Sequence, residues 1–186
     1  DALPISFMFF HKGACVYTQD KAKLFALGNA SYLKGELDLA LISRDKPQRG
    51  HFLFDEPLVW VGSAQYEVWR RDPLPIAVYE SASMARQATL SALAARRRAY
   101  RIVYHSSSLA GQIAAVESGL AVAALTHCSV PPQLQVLGAE HGLGPLAPME
   151  VAVYRSRASR GSKAVDSLQN LLVQTLRQSG GARVTG

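Results

Sequence analysis

The stretch Ile102–Leu125, IVYHSSSLAGQIAAVESGLAVAAL, decides the fold. Its first residues, Ile102–Tyr104, are apolar and favour extended backbone, which predicts a strand. The serines Ser106–Ser108 then begin a helix, because serine is a favoured N-cap residue and the apolar residues after it recur on one helical face: Leu109, Ile113 and Val116. Gly119 ends the helix, and Leu120–Leu125 returns as a second apolar strand. A strand, a helix and another strand in succession are typical of an α/β protein with parallel strands.

The same kind of pattern continues on both sides of this unit. Four further short apolar runs predict buried strands, at Leu37–Ile42, Leu58–Gly62, Ile76–Tyr79 and Val151–Tyr154. A helix is predicted from Ser81 or Ser83 to about Arg98. A last helix, capped by Gly180-Gly181, carries an apolar stripe at Leu168, Leu171, Leu172 and Leu176. The sequence therefore predicts an α/β fold with mainly parallel sheets.

The composition excludes several classes of protein. Of the 186 residues, 48% are hydrophobic and 18% are charged, which is too apolar for an intrinsically disordered chain. The length suits one domain or two small lobes. No apolar run reaches the ~18 residues that a membrane span needs, and no signal-peptide pattern is visible. With only Cys15 and Cys128, a disulfide scaffold is excluded, and a reducing compartment is indicated.

The net charge of +6 comes from the arginines that follow residue 63. The densest run, Arg96-Arg97-Arg98, lies at the end of the alanine-rich helix predicted above. Cations are favourable at a helix C-terminus, so we interpret the run as a solvated helix end rather than a phosphate-binding patch. Charge of this kind permits contact with nucleic acid but does not argue for it.

Residues 1–30 differ in pattern from the rest of the chain. Phe7–Phe10 is apolar without clear periodicity, and Asp1–Ser6 reads like a translated sequencing adapter. We therefore expect part of the segment before about Ser31 not to be native to the gene.

The sequence lacks the usual signatures of catalysis. It contains no phosphate-binding loop, no dinucleotide-binding glycine motif and no nucleophile elbow. His127-Cys128 is an adjacent pair of potential metal ligands, but no second pair supports it, so neither a metal nor a cofactor is predicted. Cys128 is interpreted as a small apolar residue, and Asp38 as a polar group that fixes a strand start. We do not expect an enzyme.

Two serine clusters, Ser81/Ser83 and Ser106–Ser108, each lie between a predicted strand and a predicted helix. Free N–H groups at a helix N-terminus bind carboxylates and other anions. In open α/β sheets, ligands collect at the carboxyl ends of strands. Each serine taken alone reads as a helix cap, but the two clusters together favour a small-molecule pocket.

Several of these segments resemble the LysR-type transcriptional regulators. The resemblance covers about residues 31–178 and rests on the order and spacing of four motifs: Leu33–Ile42 (LKGELDLALI), Glu56–Gly62 (EPLVWVG), Leu74–Tyr79 with Arg86 and Ala92-Leu93, and Ser106–Gly111 followed by Ala115–Val122. It implies a two-lobed effector-binding domain, similar to type 2 periplasmic binding proteins, with two hinge crossovers. One lobe would comprise residues 31–63 and 144–186, and the other residues 64–143.

The resemblance also implies a binding site and a function. A small, anionic effector would lie between the lobes, held by Ser43, Arg44, Ser81, Ser83, Ser106, Ser108 and Thr126. The chain would be the ligand-sensing domain of a cytoplasmic bacterial regulator that forms a homodimer or tetramer and has no membrane partner. Promoter DNA would be bound through a winged helix-turn-helix, which is not recognisable here, so we expect a fragment. The alternative is a solute-binding protein of a transport system, which uses the same architecture.

Overall fold

The computed structural model describes residues 7–11, 14–18, 38–81, 83–157 and 159–181. Contacts divide the chain into two units, Asp1–Asp55 with Glu150–Gly186, and Glu56–Met149. The chain therefore passes between the units twice. We call them the first and the second unit.

The described residues form ten strands and three α-helices. The strands are β1 (Phe7–His11), β2 (Ala14–Thr18), β3 (Leu39–Ser43), β4 (His51–Glu56), β5 (Leu58–Gly62), β6 (Leu74–Val78), β7 (Tyr100–His105), β8 (Val122–Thr126), β9 (Gln135–Leu137) and β10 (Met149–Arg155). The helices are α1 (Met84–Ala95), α2 (Leu109–Glu117) and α3 (Lys163–Gly181).

The first unit is built on a sheet with the strand order β3-β10-β4. β10 runs antiparallel to β3, so that Val153 lies opposite Leu41. The apolar stripe of α3 covers this sheet and includes Leu168, Leu172 and Leu176. Burial of this stripe holds the helix in place, since the helix repeat brings residues four apart to one face. β1 and β2 form a separate antiparallel pair.

The second unit has three layers, with a five-stranded sheet in the order β7-β6-β8-β5-β9 between α1 and α2. Successive side chains of a strand point to opposite faces, and the buried residues divide accordingly. Ile76 and Val122 pack in the cluster that contains Leu93 of α1. Their neighbours Ala77 and Ala123 pack in the cluster that contains Val116 of α2. Apolar residues on both faces explain why these strands read as continuous apolar runs.

The predicted α/β fold class is confirmed, but the sheets are less parallel than the sequence suggested. β6 is parallel to β7 and β8, whereas β5 is antiparallel to β8 and β9. An antiparallel strand covered on both faces has the same composition as a parallel one, so the apolar run of β5 could not reveal its direction. The glycines Gly180-Gly181 lie within α3 rather than beyond it.

The two crossings also lie elsewhere than the sequence placed them. The predicted boundaries follow residues 63 and 143, whereas contacts divide the chain after Asp55 and Met149. β5 pairs with strands of the second unit, and Trp60 Nε1 on that strand donates to the Gly144 carbonyl at 2.8 Å. Met149 packs with Leu58 in the same unit. The segments 56–63 and 144–149 therefore belong to the second unit.

Gly119, which ends α2, offers a test of this packing. It has φ of 69°, and a Cβ placed on it would clash with Cγ of Tyr66. Gly142 has φ of 75°, and no heavy atom of the described residues lies within 4 Å of such a Cβ. We expect Gly142→Ala to lower the free energy of unfolding by about 1 kcal/mol for the backbone conformation alone, and Gly119→Ala by about 2–4 kcal/mol because the clash adds to it.

Urea denaturation of both variants measures this difference. Equal losses would show that the Tyr66 ring does not restrict Gly119. Adding Tyr66→Ala to Gly119→Ala should recover part of the loss, because the ring atoms are then gone.

Candidate functional site

Five of the seven predicted site residues lie at one edge of the second unit's sheet. Because β6, β7 and β8 are parallel, their carboxyl ends meet at this edge, which we call the serine edge. Ser81 and Ser83 follow β6, Ser106 and Ser108 follow β7, and Thr126 is the last residue of β8. The N–H of Ser106 donates to the carbonyl of Val78 at 3.1 Å, which joins the loop after β7 to the end of β6.

The start of α2 is stabilised by its own serines. Ser108 is the N-cap, and its Oγ accepts a hydrogen bond from the Gly111 N–H at 3.3 Å. The Oγ of Ser106 accepts from the Ser108 N–H at 3.1 Å. A hydroxyl that accepts a hydrogen bond still has its own hydrogen to donate. Ser108 can therefore cap the helix, and Ser106 can hold the cap residue, while both hydroxyls still donate to an anion.

The buried side chain of Gln112 fixes the position of the loop between β7 and α2. Its side chain is 0% exposed, and its Nε2 donates to the Val78 carbonyl at 2.7 Å and to the Ser106 carbonyl at 2.9 Å. The two carbonyl acceptors determine the orientation of the amide. The Oε1 atom is buried and has no hydrogen-bond partner among the described residues.

The start of α1 lacks such a cap. Ser83 holds the N-cap position, but its hydroxyl makes no capping hydrogen bond. Arg86, in the first turn, donates from Nη1 to the carbonyl of Tyr79, the residue that follows β6, at 3.1 Å. This contact places a guanidinium at the serine edge, and its remaining N–H groups can donate elsewhere.

Thr126 belongs to a compact polar cluster with Ser129, Cys128 and Glu56. The hydroxyls of Thr126 and Ser129 are 2.6 Å apart, and the Cys128 N–H donates to Glu56 Oε1 at 3.0 Å. Burial of the Cys128 thiol, and next the negative charge of Glu56, raise the pKa of Cys128 above its ordinary value of 9.0. A raised pKa disfavours the reactive thiolate.

Ser43 and Arg44 belong to the first unit. Ser43 is the last residue of β3. Arg44 forms an ion pair with Glu150 at 2.5 Å, donates from Nη1 to the Pro47 carbonyl at 3.1 Å, and lies 5.1 Å from the Phe52 ring centroid. Its side chain is only 16% exposed. The charge that the sequence assigned to effector binding is thus already compensated by a carboxylate.

Three residues of the serine edge were missed by sequence reasoning as site residues: Glu56, Arg86 and Gln112. Gln112 carried a usable signal, because it shares a helical face with Leu109 and Val116 and a polar residue on a buried face needs a partner. Arg86 lies three residues after Ser83, within the first turn of the predicted helix. Glu56 showed no signal, since the backbone N–H that it accepts from is that of Cys128, which is distant in sequence.

Asp38 lies directly before β3, where its backbone carbonyl accepts hydrogen bonds from the N–H of Ser156 at 2.9 Å and from the Oγ of Ser159 at 3.3 Å. Within the described ranges there is no group of three or more histidine, cysteine or carboxylate side chains placed to hold a metal ion. None of the helices among these residues combines the length and apolarity of a membrane span.

Residues 29–177 match the family described as the LysR substrate binding domain, and the chain belongs to this family. It is 40% identical over 114 residues to the HTH-type transcriptional regulator DgdR of Burkholderia cepacia, which covers 61% of this chain and 39% of that protein. It is 30% identical over 114 residues to the HTH-type regulator PecT of Dickeya dadantii (strain 3937), covering 61% and 36%. The chain thus spans well under half of these relatives.

Solved structures show the same fold. The regulatory domain of HypT from Salmonella typhimurium, with bromide bound, superposes with a TM-score of 0.63 at 18% identity, covering 81% of this chain and 77% of that one. The effector binding domain of QuiR in complex with shikimate gives 0.60 at 12% identity, covering 82% and 78%. The predicted family resemblance and the periplasmic-binding-protein-like fold are confirmed.

The capping role of Ser108 can be measured directly. Ser108→Ala should lower the free energy of unfolding by about 1 kcal/mol, because the Gly111 N–H loses its acceptor. Ser107→Ala is the matched control, since no capping bond to the Ser107 hydroxyl occurs at the start of α2. Equal melting temperatures for the two variants would contradict the cap.

The Cys128 thiol gives a pH prediction. A thiol with a raised pKa is deprotonated only at higher pH, so alkylation by iodoacetamide in a Cys15→Ser background should reach half its maximal rate above pH 9.0. Glu56→Gln removes a negative charge and should move this midpoint to lower pH, whereas Glu117→Gln should not. An unchanged midpoint would contradict the contact with Glu56.

Proposed function

We propose that this chain is the effector-sensing part of a bacterial LysR-type transcription regulator and that the serine edge binds a small effector carrying a carboxylate. One observation supports the proposal above all others: two helix starts, those of α1 and α2, lie at the carboxyl ends of adjacent parallel strands. In the proposed site, Ser81, Ser83, Ser106, Ser108 and Thr126 supply hydroxyl groups.

Arg86 adds a cation to this set of neutral donors. A guanidinium can donate two parallel hydrogen bonds to a carboxylate, and N–H groups at a helix start favour the same charge. The Nη1 contact with the Tyr79 carbonyl restricts the side chain in advance, which lowers the entropy lost on binding. We therefore assign Arg86 the role that sequence reasoning gave to Arg44.

The role of a transport component is not favoured. The matched family is the substrate binding domain of LysR proteins, and both curated relatives are named HTH-type regulators. The family is regulatory, and we propose that the chain senses its effector without catalysing a reaction.

The whole protein would then resemble those relatives in organisation. We propose that a helix-turn-helix region of the kind for which they are named supplies promoter recognition, that the regulator is a homodimer or tetramer, and that it acts in the cytoplasm. Sedimentation of the full-length regulator tests the assembly, and a monomer at all accessible concentrations would refute it.

Arg86→Gln tests the proposed site. In calorimetric titration with a panel of small organic acids and amino acids, any compound that binds the native chain should bind this variant about 10- to 100-fold more weakly, because a hydrogen bond to a charged group is lost. Arg101→Gln is the matched control, with the same change of charge near the amino end of β7, at the opposite edge of the sheet. Equal effects of the two substitutions would place the site elsewhere, and no binding by any compound would refute the proposed ligand class.

A further inference from the structure

Glu56 is a buried carboxylate without a counter-ion in the described part of the chain. The residue is only 8% exposed. One oxygen, Oε1, accepts from the Cys128 N–H at 3.0 Å, and the Cys128 thiol lies beside the carboxylate. No lysine, arginine or histidine among the described residues forms an ion pair with it, whereas Arg44, Arg49, Arg70 and Arg155 all pair with other carboxylates.

Among the described residues, the buried side-chain oxygen without a hydrogen-bond partner is Oε1 of Gln112, so Oε2 of Glu56 can be reached by a donor from outside the protein. A single backbone N–H satisfies only part of a carboxylate, which has about four positions that accept hydrogen bonds. Thr126 and Ser129 add two hydroxyl oxygens next to the same turn. The cluster therefore has several acceptors in one place, which suits an ammonium group with its three donors.

Anion-binding groups lie at the other end of the same edge. Arg86 reaches the carbonyl of Tyr79, after β6, and Ser106 donates its N–H to Val78 at the end of that strand. Glu56 directly precedes Pro57 and β5, and β5 is separated from β6 by β8 alone. Two strand spacings amount to about 10 Å. This is the distance between the backbones of the two strands, and a small ligand with a charged group at each end can bridge it.

We propose that the effector is a small zwitterion, an amino acid whose ammonium group binds at Glu56 and Thr126 and whose carboxylate binds at Arg86 and the serines. This inference rests on the proposed function, since it concerns the same site. A simple monoanion would leave the Glu56 charge uncompensated and would lie near a like charge.

Matched pairs of ligands test the sign of the charge near Glu56. Glycine, L-alanine, L-serine and L-valine are titrated calorimetrically at pH 7 against glycolate, L-lactate, L-glycerate and 2-hydroxyisovalerate, which replace the amino group by a hydroxyl. The N-acetyl amino acids, which lack the ammonium charge, form a third series. We expect at least one amino acid to bind about 10-fold or more tightly than either of its analogues.

Two variants separate the contributions of the two ends. Glu56→Gln keeps an oxygen that can accept from the Cys128 N–H, so the fold should persist, and its melting curve checks this. It should weaken the amino acid about 10-fold or more and should not weaken the hydroxy acid, which no longer lies near a like charge, so the preference between them is removed. Arg86→Gln should weaken both compounds. Glu117→Gln, an exposed carboxylate at the end of α2, is the charge-matched control and should change neither.

The outcomes distinguish this inference from the function on which it rests. If hydroxy acids bind at least as tightly as amino acids, or if Glu56→Gln preserves the preference, the zwitterion is refuted and the carboxylate-binding site stands. If no compound of the three series binds, the zwitterion is refuted, and if no compound of the wider panel of organic acids binds either, the carboxylate-binding site is refuted with it. A preference for amino acids that disappears only in Glu56→Gln supports the inference.

Discussion

The arrangement of the serine edge depends on one buried amide, that of Gln112. Its Nε2 donates to carbonyls on two different segments, Val78 at the end of β6 and Ser106 before α2. Because β6 pairs with both β7 and β8, this clamp fixes the loop relative to the middle of the parallel strands. The burial of Oε1 without a partner is a cost of about 1–3 kcal/mol, and two hydrogen bonds from one nitrogen offset it.

The sheet of the second unit leaves the chain little freedom in where it can place polar groups. Its faces are covered by α1 and α2, and successive residues of a strand, such as Trp60 and Val61, belong to the two different apolar clusters. Polar side chains are therefore confined to the ends of the strands. Each helix that connects parallel strands must begin where the preceding strand ends, so both helix starts face the same edge. The two helices that cover the sheet thus explain both why its strands are apolar and why polar groups collect at the ends of the strands.

Local sequence patterns predicted the strands and helices of this unit better than they predicted which residues contact each other. The strand Leu58–Gly62 and the helix that follows Ser108 were identified because apolar periodicity and a serine cap are local signals. Pairing is not local. Arg44 forms an ion pair with Glu150, 106 residues later, and the Cys128 N–H donates to Glu56, 72 residues earlier. Residues so far apart show no recognisable spacing in the sequence, so neither contact could be predicted from it. The serine edge could be predicted because a connecting helix implies that the two strands it joins are parallel. No helix leads into β5, so the direction of this strand could not be predicted in the same way.

The chemistry of the donors in the proposed site also bears on what a sensor must do, which is to release its effector when the concentration falls. Serine hydroxyls and backbone N–H groups each contribute about 0.5–1.5 kcal/mol net, so several together give a moderate affinity that a change in one residue adjusts. A buried, unpaired cation would bind an anion much more tightly and would cost stability in its absence. The ion pair with Glu150 avoids that cost in stability at Arg44, and the hydrogen bond to the Tyr79 carbonyl reduces it at Arg86. The contacts of these two arginines thus favour selection by geometry over strong, indiscriminate attraction of anions.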